Sequence, residues 1–158
     1  MKRRTKTAMH EGSFRVWKAV REGREPVVAN KDDSVSTKPI VNVPLLLEAD
    51  VLSNCLSWLR GRRVMADRLN NGAGILADTG MYATYGIVGG GDIIAILPGG
   101  IHCEIECKAG RGGRLSVEQQ KRRERVLAAG GKYFVVHGIA ELEIFISPYL
   151  EKFDVSIS

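Results

Sequence analysis

The sequence predicts an α/β domain, a β-sheet covered by helices, preceded by a basic N-terminal arm. Three observations carry that expectation. Pro44 opens a run in which Leu45, Leu46, Val51, Leu52, Cys55, Leu56 and Leu59 recur at three- and four-residue spacing, the period of an amphipathic helix. Asp92–Leu97 and Ile101–Lys108 are β-prone runs on either side of Pro98-Gly99-Gly100, a turn whose glycines accept positive φ. Ser116, with Gln119 three residues on, forms a capping-box pattern before a helical stretch ended by Gly130-Gly131, and Tyr133–Val136 then reads as a buried strand.

Taken in order, residues 1–43 mix basic side chains with Gly, Ser and Asp. Their apolar patch Phe14, Val16, Trp17, Val20 fits a strand and a helix about equally, so a partly ordered arm is expected. The first helix stops at Gly61. Arg63–Leu69 and Gly80–Gly86 are short, β-prone and bounded by Asn70-Asn71-Gly72 and by glycines, and are expected to form a hairpin across a turn-rich loop. After the glycine- and arginine-rich stretch 109–114 and the capped helix, residues 139–150 are expected to form a short helix stopped near Pro148.

A length of 158 residues with 44% hydrophobic and 26% charged side chains suits one soluble domain plus an appendage and excludes a large multidomain enzyme. No apolar run approaches the roughly 18 residues of a membrane span, and the basic N-terminus lacks the apolar stretch of a signal peptide, so no membrane partner and a cytoplasmic location are expected. Cys55, Cys103 and Cys107 form neither a disulfide framework nor a CxxC zinc pair and read as reduced thiols. The net charge of +5 is concentrated: residues 1–43 hold ten Lys or Arg against five Asp or Glu, and residues 44–158 hold thirteen of each. A basic arm suits an anionic partner such as nucleic acid, and equally suits a solubilising tail.

Side chains alternate along Ile101–Lys108, placing Ile101, Cys103, Ile105 and Cys107 on one face and His102, Glu104, Glu106 and Lys108 on the other. This separation argues against a zinc set of His102 with the two cysteines. Antiparallel pairing across the glycine turn brings Asp92 toward Glu106 and Lys108. Two carboxylates and an ammonium suit phosphodiester hydrolysis with Mg²⁺ or Mn²⁺, and they also suit a surface strand with alternating charges, where Glu-x-Lys is a plain ion pair. Gly89-Gly90-Gly91 would let a phosphate approach, but no Gly-Lys-Ser/Thr follows as a nucleotide P-loop requires. Seven basic residues lie between Lys108 and Arg125, against Glu118 and Glu124.

Asp92, then Glu106-Cys107-Lys108, then Leu115-Ser116-Val117-Glu118-Gln119 and an apolar strand after Gly130-Gly131 resemble the PD-(D/E)XK nuclease superfamily, specifically the VRR-NUC domain. Upstream, Glu48, Asn71-Gly72 and the glycine-rich approach Gly86–Asp92 match, in order, that family's helix-one glutamate, its Asn-Gly segment and its lead into the aspartate. The resemblance covers roughly residues 45–138. Gly91 departs from it, standing where the name-giving motif has proline.

The resemblance implies a restriction-endonuclease-like core with a central mixed β-sheet in αβββαβ order, residues 44–158 being the nuclease domain. It implies that Asp92, Glu106 and the Cys107 carbonyl hold Mg²⁺ or Mn²⁺, that Lys108 positions the attacking water, that Glu48 reaches a second metal or its water shell, and that Gln119 orients Lys108 or a phosphate. Read from the residues alone, Glu48 is a dipole-favoured acid at a helix start, Gln119 is a capping residue and Glu104 is a salt-bridge partner. The implied function is a DNA endonuclease like the small stand-alone phage and prophage proteins of the family. It would work in a bacterial host cell, be selective for branched DNA such as Holliday junctions, and be paired as a homodimer. A restriction-like or exonucleolytic enzyme on duplex ends and a non-catalytic DNA-binding module are the competing expectations. Arg111, Arg114, Arg122, Arg123 and Asn71 are expected at the DNA, with Arg125 nearby; some of Arg122, Arg123 and Arg125 must face away, since consecutive helical residues point about 100° apart.

Overall fold

The structure is a computed structural model describing residues 30–154. The apolar patch Phe14, Val16, Trp17, Val20 and the basic cluster at the N-terminus lie outside the described residues. The architecture is mixed α/β. Its centre is a four-stranded mixed sheet in the order β2 (Met65–Arg68), β5 (Ile93–Leu97), β6 (Ile101–Cys107), β8 (Lys132–Val136), antiparallel except for the parallel β6–β8 pair. Helix α1 (Glu48–Gly61) precedes β2, α2 (Val117–Ala128) links β6 to β8, and α3 (Ile139–Asp154) follows β8.

The alternation read along β6 separates two layers. Cys103, Ile105 and Cys107 join Ile93, Ala95 and Leu97 of β5 in a fully enclosed core against Val51, Cys55 and Leu59 of α1 and Leu142 and Ile146 of α3. Phe134 of β8 stacks on Phe145 of α3, ring centroids 5.1 Å apart. The other face meets α2 through the smaller cluster Leu115, Val126 and Tyr133. Glu104, Glu106 and Lys108 lie on this face and are buried.

Several local expectations change. The apolar spacing of α1 is as expected, but the helix begins at Glu48, not at Pro44; Leu45 is exposed, and Gly110 donates its N–H to Leu46 O at 2.9 Å, fixing the chain before the helix. β2 does not pair with the Gly80–Gly86 strand. It borders β5, while β4 (Tyr82–Tyr85) pairs with β3 (Gly72–Ile75), a strand whose two glycines hid it inside the expected loop. This hairpin leaves Ile75, Met81 and Tyr82 exposed. Helix α3 runs through Pro148 because Leu142 and Ile146 before it and Tyr149 and Leu150 after it pack on one core, and that burial outweighs the hydrogen bond proline forfeits. Within residues 30–43, β1 (Val35–Thr37) pairs antiparallel with β7 (Gly113–Leu115) as a separate two-stranded sheet.

Candidate active site

The register of β5 and β6 builds the site. Ile93 pairs with Ile105, so the residue before it, Asp92, stands opposite Glu106 at the end of the two strands. Asp92 Oδ2 accepts the backbone N–H of Cys107 at 2.8 Å. Glu106 Oε1 accepts from Lys108 Nζ at 2.5 Å and from Gln119 Nε2 at 2.6 Å, whereas Oε2, also buried, has no partner. The ion pair is nearly dry, its side chains 3% and 9% exposed for Glu106 and Lys108.

Gln119 is the capping residue it reads as, and its amide also reaches the acid pair. Its Oε1 accepts the Ser116 N–H at 2.9 Å and its own N–H bonds to Ser116 Oγ at 3.2 Å, completing the capping box of α2, while its amide nitrogen reaches Glu106 rather than Lys108. Burial raises the pKa of Glu106 to about 7, with the charge of Asp92 adding to the shift and Lys108 and Gln119 moderating it. Burial likewise raises Asp92, against the lowering effect of the Cys107 N–H and Lys108.

Glu104 is the salt-bridge residue it reads as, and its partner is Arg122. The guanidinium donates from Nε to Oε1 and Oε2 at 3.0 and 3.2 Å and from Nη2 to Oε1, while His102 Nε2 and the Gly91 N–H also bond the carboxylate, at 2.9 and 3.2 Å. Burial opposes ionisation of Glu104, but these bonds outweigh it and hold the pKa below the ordinary value. Arg122, expected at DNA, thus faces inward. A sequence signal for this exists: Gln119 and Arg122 are three residues apart on one helix face, and Glu106 and Glu104 are two apart on one strand face, so α2 and β6 running in opposite directions present two matched pairs.

The other expected DNA-side residues fall into two groups. Arg111, Arg114, Arg123 and Arg125 are exposed, Arg114 within 3.8 Å of an equally exposed Asp32. Asn71 instead shapes the loop into Asp92, its Oδ1 accepting the Ile87 N–H at 2.7 Å and its Nδ2 donating to Gly90 O at 3.3 Å. The glycines of that loop have a packing role. A Cβ at Gly91 would lie 2.9 Å from the Ile105 backbone, and one at Gly89, where φ is +72°, would lie 2.1 Å from Glu118 O. Tyr133, which sequence reasoning assigned only to a strand, donates its hydroxyl to Gly89 O at 3.2 Å and pins this loop to the sheet.

Glu48 is exposed in the first turn of α1, whose approach is tied to the residues just after Lys108 by the Gly110–Leu46 hydrogen bond. Among the described residues no three His, Cys, Asp or Glu side chains gather as a metal-holding group. Asp92 and Glu106 are the carboxylates that the strand ends bring together. They fit a hard divalent cation: burial raises the pKa of both acids, the charge of Asp92 adds to the shift of Glu106, and Glu106 Oε2 lacks a partner where a cation would supply one. No family model, curated protein or solved structure matches the chain.

Proposed function

We propose that the chain is a Mg²⁺- or Mn²⁺-dependent DNA endonuclease of the VRR-NUC type, a member of the PD-(D/E)XK superfamily with a restriction-endonuclease-like core. The observation that carries this reading is the convergence of Asp92, Glu106, Lys108 and Gln119 at one end of β5 and β6, with a buried carboxylate oxygen left without a partner. Alternating surface charges do not account for it, because Glu106 and Lys108 are buried.

Asp92, Glu106 and the Cys107 carbonyl would hold the ion, with Glu48 toward a second ion or its water shell. A bound divalent cation acidifies a water and offsets charge on the phosphate oxygens. In phosphodiester hydrolysis a water oxygen bonds to phosphorus, the bond from phosphorus to one sugar oxygen breaks, and that oxygen leaves with a proton. Lys108 positions the attacking water and steadies the added negative charge; Gln119 fixes the Glu106 carboxylate. The exposed Arg111, Arg114, Arg123 and Arg125 grip phosphates on either side, where guanidinium groups set the register of a strand without reading bases.

Branched DNA is the proposed substrate and a two-fold homodimer the proposed assembly, since two opposed strands need two such sites. Among the described residues no helix is long and apolar enough to cross a membrane. Incubating the protein with a linear duplex, a single strand, a flap and a four-way junction, with Mg²⁺, Mn²⁺ or EDTA, tests the reading. Metal-dependent cutting strongest on the junction is expected; no cutting of any substrate with either metal overturns it.

A further inference from the structure

A second buried polar cluster lies away from the carboxylate pair. His137, just after β8, and Glu141, in the first turn of α3, are 2% and 1% exposed. His137 Nδ1 lies 2.8 Å from Glu141 Oε2, within hydrogen-bond distance. On the other side of the ring, Nε2 lies 3.1 Å from the Thr37 hydroxyl oxygen, within hydrogen-bond distance. Glu141 also takes the N–H of His137 on Oε2 at 2.5 Å and that of Ile40 on Oε1 at 2.8 Å. The cluster therefore fastens residues 37–40 to the end of β8 and the start of α3.

What it fastens covers Lys108. The β1–β7 sheet has three residue pairs, from Val35 with Leu115 to Thr37 with Gly113, and so short a two-stranded sheet is marginal by itself. The Gly113 backbone rests on the lysine stem: a Cβ there would be 2.9 Å from Lys108 Cδ and 3.2 Å from its Cβ and Cγ. Lys108 in turn donates its N–H to Val136 O at 2.8 Å, one residue before His137. Two routes thus join His137 to the lysine, one through the backbone of β8 and one through Thr37, β1 and β7. The remaining side-chain ties of residues 32–34 to this region, Gln120 to Asp33 O and Arg114 to Asp32, are exposed.

We infer that His137 is a positioning residue for Lys108: by holding Thr37 it keeps β7 closed over the lysine stem and the ammonium seated on Glu106. This rests on the proposed role of Lys108 in hydrolysis, and the test separates the two ideas. Full-length Thr37→Val, Thr37→Ser, His137→Ala and His137→Gln proteins are compared by amide hydrogen exchange at residues 113–115, by acetic anhydride labelling of the Lys108 amine read by mass spectrometry, and by steady-state cleavage. Thr37→Val and His137→Ala should exchange and label at least tenfold faster and lose kcat about tenfold with KM little changed, while Thr37→Ser and His137→Gln recover most of each. Unchanged labelling and exchange in folded Thr37→Val and His137→Ala overturn the inference, as does faster labelling with unchanged kcat. A wild-type protein that cleaves nothing overturns the nuclease reading, and labelling and exchange still decide whether His137 holds the cover.

Discussion

Gln119 Nε2 lies 2.6 Å from Glu106 Oε1 while the same side chain closes the capping box on Ser116, so the start of α2 and the orientation of a buried carboxylate are one arrangement. Gln119→Ala should cost about 1 kcal/mol of stability through the cap and slow cleavage as Glu106 loses a donor. Gln119→Glu keeps an oxygen for the Ser116 N–H but sets a second carboxylate against Glu106, so it should cleave more slowly still, with the repulsion offsetting the stability the retained cap contributes. Urea denaturation beside single-turnover cleavage measures both; a Gln119→Glu protein as active as wild type would show that the amide does not orient Glu106.

Asp92→Asn and Lys108→Ala should each lower cleavage by roughly two orders of magnitude or more, the usual loss when a positioned ionic group is removed, with far-ultraviolet circular dichroism confirming a folded chain. Glu48→Ala should be milder, since Glu48 is exposed and its proposed place is in the outer shell of the metal. A folded Lys108→Ala protein cutting at the wild-type rate would remove the proposed chemistry.

Arg122→Ala strands the Glu104 carboxylate, which is fully buried, and should destabilise the fold by about 3 to 5 kcal/mol. Arg123→Ala and Arg125→Ala, at exposed positions of the same helix, should change stability by no more than about 0.5 kcal/mol and act on DNA affinity instead. Equal stability losses from all three would contradict the inward placement of Arg122.

The pH dependence of the metal-free protein follows from Glu106. Its pKa is raised from 4.5 to about 7 in the folded chain, so between those values the folded state holds a proton the unfolded state has released, and stability must fall as pH rises through that window and level off above it. The decline is on the order of 3 kcal/mol, at about 1.36 kcal/mol per pKa unit, and Asp92, also raised, acts in the same direction. Glu104, lowered, contributes stability that is lost only at more acid pH. Glu106→Gln should flatten the decline, and Mn²⁺ should stabilise the wild type more at pH 8 than at pH 5. Denaturation midpoints taken in EDTA from pH 5 to 8 that rise or stay level for the wild type would refute this.

The parts of the molecule readable from sequence are those with short-range causes. Pro98-Gly99-Gly100 sets a tight connection between two β-prone runs, and that connection alone places Asp92 opposite Glu106; the capping box likewise fixes where α2 begins. The β1–β7 pair was not readable, because strands of three residues, one containing Gly113, carry no periodic signal and meet across some eighty residues of chain. β3 was hidden by Gly72 and Gly74. The inward turn of Arg122 was missed because a basic cluster read by composition looks uniform, whereas helix geometry gives each of its members a different neighbour. Pro148 misled in the opposite direction: a local rule predicted a stop, and packing with Leu142 and Ile146 overrode it.

The three thiols of the core have a consequence of their own. Cys55, Cys103 and Cys107 are all fully enclosed, and burial pushes Cys103 up to about 12, so no reagent that attacks thiolates meets a target while the sheet is intact. Cys103 and Cys107 lie on the same strand as Glu106. The rate at which a maleimide or a disulfide reagent modifies them is therefore a direct reading of how often that strand comes free of its neighbours, and it needs no introduced probe.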